Sequence, residues 1–156
     1  MASAGTATWT RCATTCLHTS SEVYLVDSSA WVEYLRDTNS PTCNEVDRLW
    51  HEHPADVHLT EPVIMELLAG PNDTRTVQRL ETLISGLPLL AVNAFIDYRA
   101  AASAARASRQ RGHPIRSLVD CLIAAVAVRT EAELVHRDRD FDHLAECLPD
   151  LRVHQF

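Results

Sequence analysis

Apolar positions along this chain fall into two alternating patterns. Short runs rich in β-branched and aromatic side chains occur at Val23–Val26, Val57–Thr60, Leu89–Val92, Glu133–His136 and Leu151–His154, and they read as strands buried on both faces. Between them, apolar residues recur at helical spacing: Ala30, Trp31, Tyr34 and Leu35; Val46, Leu49 and Trp50 after Pro41; Val77, Leu80, Leu83 and Ile84; and an alanine-rich stretch reaching about Arg111. Two further segments, Val63–Ala69 and Leu118–Val128, are apolar on almost every side and predict helices packed deep in the fold. Punctuation agrees with this division. Ser28 or Ser29, Thr60 followed by Pro62, Asn72 or Asp73, Asn93 and Ser117 stand where helix N-caps belong, while Gly70-Pro71, Gly86-Leu-Pro88 and Gly112-His-Pro114 stop what precedes them. Strands alternating with helices predict an α/β domain over residues 22–156, with a parallel sheet of four or five strands covered on both faces.

Three acids break this pattern. Asp27 ends the first apolar strand, Glu66 sits in Met65-Glu-Leu-Leu-Ala-Gly70, and Asp120 interrupts Leu118-Val-Asp-Cys-Leu-Ile-Ala-Ala-Val-Ala-Val128. An ionised carboxylate buried without a partner costs several kcal/mol, so each must be neutralised, paired or bound to a metal. Each has an ordinary alternative: Asp27 as a helix cap, Glu66 paired with an arginine such as Arg116, and Asp120 paired with Arg116 four residues before it. Their joint occurrence favours convergence. In open α/β sheets the meeting place is the carboxyl edge where the strand order reverses. If the first and fourth strands are neighbours there, Asp27 faces Asp138, which follows the fourth, and Glu66 and Asp120 reach the same cleft. Four clustered carboxylates require cations, and an oxygen-only donor set favours Mg²⁺, with Mn²⁺ able to substitute, over zinc.

Composition narrows the partners. A net charge of −7 argues against a protein that coats nucleic acid electrostatically. Every basic side chain is an arginine, and Arg99, Arg106, Arg109, Arg111 and Arg116 lie between Tyr98 and Val119 with no acid among them. Arg109, Arg111 and Arg116 are therefore candidate phosphate contacts, a solvated helix face being the alternative. No stretch is long and apolar enough for a membrane span, and no secretory leader is visible, so a cytoplasmic protein is expected. Residues 1–21, Ser/Thr-rich and acid-poor, read as a disordered extension. The spacing of Cys12, Cys16 and His18 fits no zinc pattern. Cys43, Cys121 and Cys147 read as small buried apolar residues, and His51 and His53 as surface residues projecting from different sides of a helix.

Taken together, Val26-Asp-Ser-Ser-Ala-Trp31, Met65-Glu-Leu-Leu-Ala-Gly70, Ser117-Leu-Val-Asp-Cys-Leu-Ile-Ala-Ala125 and His136-Arg-Asp-Arg-Asp-Phe141 resemble the motifs of a PIN domain, and more narrowly of the VapC toxins of bacterial VapBC toxin–antitoxin pairs. The resemblance covers the chain from about Val23 to its end. It implies a three-layer α/β/α sandwich and a Mg²⁺-dependent endoribonuclease that cuts structured RNA, tRNA or ribosomal RNA, and so inhibits translation. It also implies a homodimer and a VapB antitoxin that covers the active site. Its acidic quartet falls on Asp27, Glu66, Asp120 and Asp138, with hydrolysis by metal-activated water leaving a 5′-phosphate. The family places a Thr or Ser two residues before the fourth acid; here that place holds His136, and Asp140 is a further candidate ligand. The rival is a non-catalytic PIN-like module that binds a protein partner.

Overall fold

The computed structural model describes residues 22–156; the Cys12, Cys16 and His18 grouping and the N-terminal extension lie outside the described residues. The elements run β1 (Tyr24–Val26), α1 (Ser28–Leu35), α2 (Pro41–Glu52), β2 (Val57–His58), α3 (Glu61–Ala69), α4 (Thr74–Ser85), α5 (Asp97–Gln110), α6 (Leu118–Thr130), β3 (Glu133–Val135), α7 (Arg139–Cys147) and β4 (Arg152–Val153). The strands form one parallel sheet in the order β2-β1-β3-β4. Tyr24, Leu25 and Val26 are all buried, and such strands require helices on both faces. Helices α1 and α2 pack together, α5, α6 and α7 form a second group, and α3 touches both α1 and α6.

Chain order places the site. From β1 the chain moves outward to β2, then returns past β1 to β3 on its other side, so the order reverses between β1 and β3. Their register pairs Val26 with Val135, and the Asp27 amide donates to the Val135 carbonyl at 2.9 Å. The residues after both strands therefore open into one crevice at the carboxyl edge, where doubly wound sheets hold ligands.

Caps fix where the helices begin. Asp73 accepts from Thr76 N at the start of α4, and Ser117 Oγ accepts from Val119 N and Asp120 N at the start of α6. Thr60 stands at the N-cap of α3 without bonding through its side chain to the helix. Asn93 closes the turn before α5 rather than α5 itself, its Oδ1 accepting from Phe95 N and Ile96 N.

The strand expected at Leu89–Val92 reduces to a single parallel bridge between Leu59 and Leu89. The reason is competition for backbone groups. Pro88 has no N–H to offer, the Val92 amide donates to Glu61 Oε2 at 2.8 Å, and the Ala91 carbonyl accepts from Arg129 Nη2 at 2.6 Å. The sheet stays four-stranded.

Candidate metal centre at the carboxyl edge of the sheet

Asp27 is 3% exposed and is the N-cap of α1. Its Oδ2 accepts from the Ser29 amide at 2.8 Å and the Ser29 hydroxyl at 2.5 Å. The cap role offered as the ordinary alternative for Asp27 is therefore real. Ser28, the next residue, donates its hydroxyl to Glu66 Oε2 at 2.6 Å and so ties α1 to α3. Asp120 stands in the first turn of α6, set there by the Ser117 cap. Asp138 is the N-cap of α7 and accepts from Asp140 N at 2.9 Å.

Electrostatics shows that these carboxylates share a field. Burial pushes Asp27 up to about 6, against the bonds from Ser29, and Glu66 adds to the rise. Asp120 is pushed up to about 7, first by burial and then by the charges of Asp27, Asp138, Glu66 and Asp140. Among the described residues no arginine offsets them: Arg116 meets this group only through its backbone N–H, which donates to Asp140 Oδ2 at 3.3 Å. The structure thus brings all four predicted acids, with Asp140, into one neighbourhood around Asp120. The donor set is oxygen only and holds two carboxyls that burial and neighbouring acids keep from ionising readily. Such a set fits a hard divalent cation, which supplies the missing positive charge.

The three candidate phosphate contacts divide. Arg109 and Arg116 are exposed at the end of α5 and before α6, whereas the Arg111 guanidinium turns to α7 and donates to the Glu146 carbonyl.

The residue in place of the family's hydroxyl, His136, is buried, packs against the Phe141 ring at 5.1 Å, and lies 3.8 Å from the Asp142 carboxylate. Burial disfavours its charged form. The β3–α7 loop meets a hydroxyl from the start of α1. Ser29 Oγ donates to Asp27 and accepts from the Arg137 amide at 2.9 Å, so one serine orients a carboxylate and latches the β3–α7 loop.

Sequence reasoning missed two features. Asp97 is fully buried and held by Arg129, with Nε to Oδ1 at 2.8 Å and Nη2 to Oδ2 at 2.9 Å, and by the Asn93 amide at 2.7 Å. The signal pointed the wrong way, because its neighbours Phe95, Ile96 and Tyr98 are the exposed ones. The second is a grouping of His113, His143 and Glu146, whose donor atoms all lie within 4.8 Å of one another. Among the described residues that grouping, not the acidic quartet, has its donors gathered this closely.

Comparison with known proteins agrees with this geometry. The family profile of the PIN domain matches residues 24–146. Ribonuclease VapC11 of Mycobacterium tuberculosis is 51% identical over 121 residues, covering 78% of this chain and 90% of that protein. DNA-bound VapBC from Salmonella typhimurium superposes with a TM-score of 0.67 at 17% identity, over 85% of this chain and 97% of the other. VapC20 of M. tuberculosis, a sarcin–ricin loop cleaving toxin, gives a TM-score of 0.57 at 22% identity, over 76% and 92%. The two structures share the fold.

Proposed function

The chain belongs to the PIN-domain family, and from that premise we propose that it is a VapC-type toxin: a divalent-metal-dependent endoribonuclease that cleaves structured RNA, tRNA or ribosomal RNA, in the cytoplasm and is neutralised by a VapB antitoxin. The observation that carries this reading is the pair Asp27 and Asp120, held at the switch point of the sheet with carboxyls pushed up to about 6 and about 7 and no side-chain cation beside them. Asp27 and Asp120 would be the principal ligands of the ion, Mg²⁺ by the hardness of the donors, with Glu66 and Asp138 completing the set and Asp140 beside them. When bound, the ion supplies Lewis acidity at the phosphoryl group and lowers the pKa of water. The protein's part is positioning. Ser28 fixes Glu66, Ser29 fixes Asp27, and the Ser117 cap fixes the turn of α6 that carries Asp120. Arg116 and Arg109 hold the RNA backbone, and Arg111 does so only after releasing the Glu146 carbonyl. Water attacking phosphorus in line, with the P–O3′ bond breaking and the departing oxygen taking up a proton, would leave a 5′-phosphate and a 3′-hydroxyl.

The antitoxin fits a groove of about 650 Å³ that starts at Ser28 and Glu66 and runs out along Val32, Leu35, Leu80 and Leu83. An apolar floor that ends on acids suits an amphipathic helix followed by a basic side chain. A homodimer would cover a second apolar surface, where Met65, Tyr98 and Leu118 are 55%, 57% and 67% exposed. The chain has no helix, among the described residues, long and apolar enough to cross a membrane.

The test is to induce the protein without its antitoxin and map new RNA 5′ ends, alongside Asp120→Asn. Discrete 5′-phosphate ends that vanish in the variant are expected. Unchanged RNA with a folded, Mg²⁺-stabilised protein would instead identify a binding module.

A further inference from the structure

Towards the C-terminal half of α7 a second set of donors comes together. His143 and Glu146 are one helical turn apart on α7 and share a face. His113 reaches them from the α5–α6 loop. That loop is held in place: Gly112 adopts φ +83°, which turns the chain back at the end of α5, and the His113 amide then donates to the Ser108 carbonyl at 3.0 Å. The His113 and His143 rings stack with centroids 4.5 Å apart and planes only 5° from parallel. Nδ1 of His143 is shielded from solvent and has no hydrogen-bond partner. Arg111, the nearby cation, donates to the Glu146 backbone carbonyl and not to its carboxylate.

We propose that His113, His143 and Glu146 form a second metal site, selective for zinc-class transition ions, that clips the α5–α6 loop to α7 and is separate from the acidic pocket. Nitrogen-rich donors select Zn²⁺, Co²⁺ or Ni²⁺ over Mg²⁺. Each imidazole lone pair lies in its ring plane, so a shared ion requires the stack to open, with the exposed His113 ring turning out of parallel to bring its nitrogen towards the one on His143. Tetrahedral zinc needs donors roughly 3.4 Å apart. The present donors lie within 4.8 Å, and two of the three belong to exposed side chains free to close the gap. Three protein ligands leave a fourth position open to water.

Position gives the site a role. The loop is already tied to α7 at both ends, by the Arg116 amide on Asp140 and by Arg111 on the Glu146 carbonyl. An ion between His113 and α7 adds a tie in the middle. It thereby holds the start of α6, which carries Asp120, against the helix that Asp138 caps.

The experiment titrates Co²⁺ and Zn²⁺ into the full chain in excess Mg²⁺, reading cobalt absorption and melting temperature for wild type, His113→Ala, His143→Gln and Asp120→Asn. One equivalent of Co²⁺ without a thiolate charge-transfer band is expected. Zn²⁺ at a hundredfold excess over its Kd should raise Tm by roughly 5–10 °C. Both effects should be lost in the two histidine variants and kept in Asp120→Asn. Binding that survives His113→Ala and His143→Gln, binding that disappears in Asp120→Asn, or no Co²⁺ bound over Mg²⁺ overturns the proposal. The readout is independent of RNA cleavage, so its failure leaves the ribonuclease reading standing.

Discussion

Asp97 and Asp27 are both buried aspartates at the start of a helix, and they have opposite fates. Asp97, fully inaccessible, is met by the Arg129 fork and a backbone amide, and its charge is matched inside the fold. Asp27 is met only by neutral donors from Ser29, and its nearest charged influence is another acid, Glu66. Burial of a carboxylate is therefore not what marks the site. The mark is burial without a cation, repeated at Asp120, where four further acids add their charge. Matching makes Asp97 a structural tie between the turn before α5 and the end of α6, and mismatch is what supports the proposal that Asp27 and Asp120 receive a positive ion.

Breaking the matched pair should have the largest effect. Arg129→Ala strands the Asp97 carboxylate in the core and should cost about 3 kcal/mol, lowering Tm by roughly 6–12 °C while cleavage by the folded fraction persists. Thermal melts and active-fraction assays check this together. Asp120→Asn should do the reverse. Cleavage falls by about 10²–10³-fold, yet the metal-free Tm equals or exceeds that of wild type because a repelled charge is gone. A large loss of stability in Asp120→Asn would erase the contrast between the two classes of acid.

Smaller changes sharpen it. Ser28→Ala leaves Glu66 without its fixed orientation and should lower cleavage by about 10-fold, with the dependence on Mg²⁺ concentration shifted to higher values. Arg116→Ala should weaken RNA binding a few-fold and reduce the slope of log affinity against log salt by about 1, with turnover at saturating RNA retained.

Much of this was legible from the pattern of residues. In the sequence the adjacency of β1 and β3 is only the condition under which Asp27 faces Asp138, a condition the strand order meets, and Asp27, Glu66 and Asp120 stand out because they interrupt runs that otherwise read as core. What stayed hidden had physical causes. Leu89–Val92 has strand-like letters, yet Glu61 and Arg129 take the backbone groups a ladder needs. Asp97 lies among Phe95, Ile96 and Tyr98, and here the apolar side chains face outward and the acid inward, inverting the usual rule. His113 and His143 are far apart in the chain and meet only because α7 packs beside α5. The His136 that stands where the family has a hydroxyl was visible, whereas the bond from the Arg137 amide to Ser29 Oγ joins residues 108 positions apart and is legible in neither stretch alone.

If the acidic pocket is short of positive charge until a divalent ion enters, metal-free stability must fall as pH rises. The folded chain holds protons on Asp27 and Asp120 that the unfolded chain releases at ordinary carboxylate values. The stability this gives is complete below about pH 4 and is lost as pH rises through about 6 and about 7. For Asp27 alone the loss is on the order of 2–3 kcal/mol. Melting the metal-free chain from pH 4 to pH 8, with and without Mg²⁺, therefore tests the account most directly. A Tm that falls by roughly 5–10 °C across this range in the Asp27- and Asp120-dependent component, and is restored by Mg²⁺ at the alkaline end, is predicted. A component that is flat or rises with pH, with no response to Mg²⁺, would contradict it.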